Sequence, residues 1–178
     1  MVTIRRAVEA DSAVLAEFGA RTFFETFASD NTPENMDAYL RLTFSPEKQA
    51  RELSDPNTII FVAELDGVVI GSVKLVDGLA PTCISGRHPI EIARLYVDSL
   101  YFRSGIGSRL MRCCFDEAAS KGCDTVWLGV WENNYRARDF YRKWNFTEVG
   151  SHIFQLGDDP QIDLLLERPL TGIDASSS

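Results

Sequence analysis

The spacing of apolar and polar positions along the 178-residue chain changes period several times, and each change marks an element. Thr3-Ile4-Arg5 opens a strand. After it, Val14, Leu15 and Phe18 recur at helical spacing, which predicts a helix capped by Asp11 and running to about Phe27. Thr32-Pro33-Glu34 and Ser45-Pro46-Glu47 each read as a helix start. Proline's fixed φ and missing N–H suit the first turn, and glutamate meets the positive end of the helix dipole. Met36, Tyr39, Leu40 and Phe44 fall on one stripe, so these helices are expected to form a wall between the first two strands. Thr58 to Leu65 and Val68 to Val76 are rich in branched and aromatic residues, and Asp66-Gly67 between them is a two-residue hairpin signal.

Asp77 to His88 carries Gly, Pro and Ser without periodicity and is expected to be an exposed loop near the mouth of the functional site. Ile90 to Val97 reads as the central strand, with Glu91, Ala93, Leu95 and Val97 alternating onto one face. Ile106, Leu110, Met111, Cys114, Phe115 and Ala118 give the next helix a buried face, and Lys121-Gly122 marks its end. A strand from Thr125 to Trp131 follows, then a helix from Asn134 to Trp144 that buries Ala137, Phe140, Tyr141 and Trp144. Phe146 to Phe154 and Ile162 to Glu167 close as a hairpin across Gly157-Asp158-Asp159-Pro160. The alternation predicts an α/β (α+β) fold, a mixed central sheet of about six to seven strands flanked by helices. Residues 1–170 read as a single domain, and 171–178, small and polar, as a disordered tail.

Composition narrows the function classes. With 45% hydrophobic and 25% charged residues the chain matches soluble globular proteins. No apolar run approaches the roughly 20 residues of a membrane span, and Met1-Val2-Thr3-Ile4-Arg5 lacks a signal-peptide core, so no membrane partner and a cytoplasmic location are expected. Cys83, Cys113, Cys114 and Cys123 form no Cys-x-x-Cys pair and read as reduced thiols. His88 and His152, the only histidines, read as surface or satisfied residues. No metal is expected. A net charge of −8 argues against a nucleic-acid surface and is compatible with a cationic substrate in an acidic cleft.

The candidate chemistry begins at Val97-Asp98-Ser99-Leu100-Tyr101-Phe102-Arg103-Ser104-Gly105-Ile106-Gly107-Ser108, where a strand turns into a helix across two glycines. Glycine lets the backbone approach a ligand, and the first N–H groups of a helix favour an anion. The dinucleotide fingerprint needs a third glycine where this chain has Leu110. The triphosphate loop needs Gly-Lys-Ser/Thr, and Gly107 is followed by Ser108-Arg109. A second stretch, Asn134-Tyr135-Arg136-Ala137-Arg138-Asp139-Phe140-Tyr141-Arg142-Lys143-Trp144-Asn145-Phe146, follows the strand ending in Trp127-Leu128-Gly129-Val130-Trp131.

The two stretches resemble the GNAT N-acetyltransferase superfamily, whose acetyl-CoA site combines Arg/Gln-x-x-Gly-x-Gly/Ala with a later Asn-x-x-Ala-x-x-Phe-Tyr-x-x-x-Gly-Phe helix. Thr26-Phe27, Asn31-Thr32-Pro33-Glu34-Asn35-Met36, Trp127 to Glu132 and Leu156-Gly157-Asp158-Asp159 are similar to the PaiA-type spermidine/spermine N-acetyltransferases. The resemblance implies the GNAT fold, splayed between its fourth and fifth strands, with acetyl-CoA as cosubstrate. It implies that Phe102, Arg103, Ser104, Gly105, Ile106, Gly107 and Ser108 cradle the CoA diphosphate and that Leu95, Tyr96 and Val97 offer backbone groups to the pantetheine arm. Asn134 and Arg138 would contact the cofactor, and Tyr141 would lie near the CoA sulfur as general acid. Arg103, Arg109, Arg112, Arg136, Arg138 and Lys143 would set positive charge beside CoA, with about half of them on solvated faces.

Three positions depart from the family pattern. Phe102 replaces the leading Arg/Gln. Asn145 replaces glycine, which the fold should tolerate because asparagine accepts the left-handed conformation. Ala93 stands where many relatives place a glutamate, which leaves Glu91 as candidate base and substrate contact, acting directly or through a water. Phe27 and Tyr39 are the other substrate-binding candidates, and Glu25, Asp30, Glu34, Asp37 and Glu91 could hold further cationic groups. The implied reaction is acetyl transfer to a primary amine of a small molecule such as spermidine or spermine. Transfer to protein N-termini or lysines, a non-catalytic acyl-CoA-binding module, and a homodimer all stay open.

Overall fold

The computed structural model describes residues 1–170; the expected tail, 171–178, lies outside the described residues. Seven strands form one sheet in the order β1-β2-β3-β4-β5-β7-β6. They are β1 (Val2–Arg6), β2 (Thr58–Leu65), β3 (Val68–Val76), β4 (Pro89–Val97), β5 (Thr125–Trp131), β6 (Thr147–Leu156) and β7 (Asp159–Pro169). Every neighbouring pair is antiparallel except β4 and β5, which run parallel. A parallel pair needs a crossover, and α4 (Ile106–Ser120) supplies it. Helices α1 (Ser12–Phe27), α2 (Pro33–Thr43) and α3 (Pro46–Ser54) lie between β1 and β2 in sequence, and α5 (Tyr135–Lys143) between β5 and β6.

The proline-led starts behave as their chemistry dictates. Thr32 and Ser45 accept hydrogen bonds from the N–H groups of Asn35 and Lys48, satisfying one orphan donor at each helix end. Asp11 departs from expectation. Its carboxylate makes no cap bond to α1 but takes two hydrogen bonds of 2.8 Å from Arg5 and one of 2.7 Å from the Val8 N–H. A charge-assisted pair outcompetes a single neutral cap. Val14, read as part of the apolar stripe, is exposed, while Leu15 and Phe18 are buried. Asp66 and Gly67 both adopt positive φ, as a tight hairpin requires, and Asn145 takes φ 61°, the conformation glycine would otherwise supply.

The sheet has a core on each side. On one, α4 buries Ile106, Leu110, Met111, Cys114 and Ala118 against Val73, Leu75, Ile90 and Ile92. On the other, Leu15 and Phe18 of α1 pack on Ile60, Val62 and Val69, and Phe23, Met36, Phe44 and Leu156 join α1 and α2 to β6. Leu110 has no exposed surface, so its truncation to alanine costs about 2–5 kcal/mol.

A bulge in β4 corrects the expected alternation. Leu75 faces Ile92 while Lys74 faces Arg94, so Ala93 is an extra residue and the parity reverses across it. Glu91 therefore shares its face with Arg94 and Tyr96, toward α1 and α3, whereas Leu95 and Val97 turn toward α4. The segment from Asp77 to His88 is also misplaced by the sequence reading. It precedes β4 and sits at that strand's N-terminal end, where Ile84 packs on Trp127 and Leu165 and where Arg87 and His88 bond Asp124.

Candidate active site

Strands β4 and β5 pair only from Pro89–Glu91 to Thr125–Trp127. Beyond those three rungs they separate, and Leu95, Tyr96 and Val97 face Gly129, Val130 and Trp131 across an open cleft of about 950 Å³. An unpaired parallel edge leaves backbone N–H and C=O groups that an extended ligand can satisfy in place of the missing strand.

At one end the cleft meets the N-terminus of α4. Gly105 caps that helix at φ 86°, and Arg103, before it, takes φ 65°. The first helical hydrogen bond runs from Arg109 N–H to Gly105 O, which leaves the N–H groups of Ile106, Gly107 and Ser108 pointing out of the helix end. Arg103, Gly105, Gly107 and Ser108 line the cleft together with Tyr101 and Phe102. Ser104 is different: its N–H and hydroxyl both donate to Tyr101 O, so it braces the turn. The Ile106 side chain is in the core, leaving only its backbone to the cleft end.

The position where Phe102 stands gains a cation from elsewhere. The Arg136 guanidinium lies 3.8 Å from the centre of the Phe102 ring, and both line the cleft. Arg138, two residues further along the same helix, instead donates to Glu132 O at 2.7 Å and does not line it. Of the six basic residues expected there, Arg103, Arg136 and Lys143 reach the cleft, while Arg109 bonds Val2 O. Asn134 lines the cleft and caps α5 through the Ala137 N–H.

Tyr141 stands in the middle of the wall. Its side chain packs on Phe140 and Phe146 and is only 8% exposed, yet it borders the cleft. Burial, with Cys114 nearby, pushes its phenol well above the usual range, so it stays protonated at any physiological pH. A neutral phenol at a cleft wall can donate a proton or a hydrogen bond.

The other end is aromatic. Phe27 of α1, Tyr39 of α2, Trp131 of β5 and Phe154 of β6 line it with Gln161 and Asp163 of β7. Phe27 contacts Trp131 edge-on at 5.9 Å between centroids, and Tyr39 contacts Phe154 at 5.5 Å. None of Glu25, Asp30, Glu34, Asp37 and Glu91 lines the cleft; the acids that do are Asp139, paired with Arg142, and Asp163. Glu91 sits at the last closed rung between β4 and β5, half-buried, with burial raising its carboxyl. Sequence reasoning missed Asp163. The available signal was an acid inside the apolar run Ile162-Asp163-Leu164-Leu165-Leu166.

Away from the cleft, donor atoms of Asp77, His88 and Cys123 gather within 4.8 Å of one another at the N-terminal ends of β4 and β5. Asp77 already pairs with His88 at 2.9 Å and with Lys121 at 3.4 Å. All four cysteines are free thiols, and no helix among the described residues is long and apolar enough to cross a membrane.

Residues 20–146 match the family described as "Acetyltransferase (GNAT) family". The chain is 32% identical over 169 residues to an uncharacterized N-acetyltransferase of Lactobacillus delbrueckii subsp. lactis, covering 95% of this chain and 98% of that one. Among solved structures, the PaiA N-acetyltransferase of Thermoplasma acidophilum in complex with coenzyme A superposes with a TM-score of 0.75 at 22% identity, covering 96% of this chain and 99% of that one. A ribosomal-protein-alanine N-acetyltransferase of Brucella melitensis gives 0.67 at 24% identity, covering 94% and 99%.

Proposed function

The chain belongs to the acetyltransferase (GNAT) family and is an acetyl-CoA-dependent N-acetyltransferase; from that premise we propose that it acetylates a primary amine of a small cationic molecule, a polyamine such as spermidine or spermine, with Tyr141 as general acid. One observation carries the reading. A single cleft joins an anion-binding helix end to an aromatic, acid-bearing pocket, with a neutral buried phenol between them.

In this reading acetyl-CoA, when bound, supplies the activated acyl group as a thioester. The N–H groups of Ile106, Gly107 and Ser108 would hold its diphosphate, with Gly105 setting the turn and Arg103 and Arg136 adding positive charge. Each such charge-assisted bond is worth about 1.5–3 kcal/mol. The exposed edge of β4 at Leu95–Val97 would align the pantetheine arm, and Asn134 would close the cofactor side. Tyr141 would give its Oη proton to the departing sulfur, a step its raised pKa suits because the proton is present to be given. Phe27, Tyr39, Trp131 and Phe154 would take the acceptor, whose cation is favoured over aromatic faces.

Residues 1–170 act as one acetyltransferase domain in this account, and the free thiols fit a reducing, cytoplasmic setting. The test is CoA release from acetyl-CoA across spermidine, spermine, an aminoglycoside, free amino acids and peptides with a free N-terminus. Turnover led by the polyamines is expected. Turnover led by peptides would replace this acceptor with a protein terminus or lysine.

A further inference from the structure

Resting on the proposed amine acetylation, a base is needed to remove a proton from the acceptor's ammonium, and the bulged residue of β4 that lines the cleft, Ala93, has no group to serve as one. Glu91, two residues back, lies where β4 and β5 are still paired and does not border the cleft. The requirement must be met from another wall.

The β6–β7 hairpin meets it. His152 and Asp163 are directly opposed across the two strands, and Asp163 is in turn opposed to Trp131 of β5, so the three share a face. The Asp163 side chain is only 15% exposed, borders the cleft, and has its Oδ2 atom 3.8 Å from His152 Nε2. His152 is 44% exposed and connects the pair to solvent. Gly129 lies at the point where β5 leaves β4, and a methyl group there would sit 3.4 Å from both Asp163 Oδ2 and His152 Nε2. Glycine at this position keeps the space in front of the pair open where an extended ligand would arrive.

We propose that Asp163 and His152 form the ammonium subsite and base of the reaction. The Asp163 carboxylate receives the acceptor's ammonium inside the pocket of Phe27, Tyr39, Trp131 and Phe154. One N–H bond of the ammonium breaks, its proton passes to Asp163 Oδ2 and, once the two side chains close from 3.8 Å to hydrogen-bonding distance, on to His152 Nε2, and the electron pair stays on nitrogen as the nucleophile. His152 returns the proton to solvent.

The surroundings suit the assignment. Burial holds the Asp163 carboxyl above the usual carboxylate range, opposed by His152, which makes it a better proton acceptor than an exposed aspartate. The charged and titratable groups around the pair are Tyr39 of α2 and, through His152, Glu91 of β4, itself faced by Lys74 of β3. Arg94 and Lys74 are both engaged by Glu52 of α3. Among the described residues Asp163 pairs with His152 and with no arginine or lysine, which leaves it to an incoming cation.

The test compares wild type, Asp163→Asn and His152→Gln, with CoA affinity and thermal midpoint confirming that each is folded. Spermidine is titrated into CoA-saturated protein by calorimetry, and kcat/KM for spermidine is measured from pH 6 to 10. The expected result is spermidine affinity at least tenfold weaker in Asp163→Asn, and a rate deficit of a hundredfold or more near pH 7 that shrinks as pH rises and free amine accumulates. His152→Gln should shift the acid limb of the profile without that loss of affinity. Unchanged spermidine affinity in Asp163→Asn, or a deficit constant across pH, would overturn the proposal. Spermidine binding by a wild type that fails to acetylate it would remove the polyamine reading and the proton transfer. Transfer to another amine, with the same pH-dependent deficit in Asp163→Asn, would keep the base and change only the acceptor.

Discussion

The two ends of the cleft are built on different principles. The helix end comes from short contiguous stretches, 102–108 and 134–141, whose geometry is set by local backbone: an αL glycine, a helix start and an asparagine cap. The aromatic end draws single residues from α1, α2, β5, β6 and β7, and owes its shape to the way those elements pack. A donor shared by a whole family can be held by backbone groups that tolerate side-chain change, whereas an acceptor is selected by side chains. Changes at the two ends should therefore separate in kinetics.

The largest expected effect lies between the ends. Tyr141→Phe should leave CoA affinity intact and lower kcat by roughly ten to a thousandfold, measured by CoA release and calorimetry. Next, Gly107→Asp places a carboxylate at the N-terminus of α4, against the bound diphosphate. CoA affinity should weaken by about tenfold or more, from the lost charge-assisted bonds, while spermidine binding to the free protein changes little. The mirror experiment is Tyr39→Ala, which opens the aromatic wall. The KM for the acceptor should rise about tenfold with the KM for acetyl-CoA unchanged. Arg136→Gln, which removes the guanidinium from Phe102, should raise the KM for acetyl-CoA about threefold at low salt and less at high salt. Smallest of all, Glu91→Gln should leave the pH–rate profile in place, because Glu91 sits at a closed rung and not at the cleft wall.

The same contrast explains what could be read from the amino-acid sequence. The hairpin at Asp66-Gly67, the proline-led helices, the αL conformation of Asn145 and the glycine turn that starts α4 at Gly105 all follow from local rules, and all are present. Tyr141 and Asn134, both singled out by the second motif, line the cleft. Other readings failed where a tertiary event intervened. The bulge at Ala93 reversed the faces of β4, which no alternation count can detect. Asp11 preferred Arg5 to the helix it precedes. Arg138 turned to a backbone oxygen while Arg136 took the place beside Phe102. The loop before β4 fell at the opposite end of that strand from the cleft, a matter of strand direction and not of composition. Asp163 was hidden for the same reason, since its partner His152 becomes a neighbour only when β6 and β7 pair.

The central claim is that the parting of β4 and β5 holds coenzyme A between the α4 N-terminus and Tyr141. A crystal structure of the chain with CoA tests it most directly. The account predicts diphosphate oxygens within about 3 Å of the N–H groups of Ile106, Gly107 and Ser108, with the thiol directed to the Tyr141 hydroxyl. Diphosphate bound away from that helix end, or a thiol emerging far from Tyr141, would contradict it.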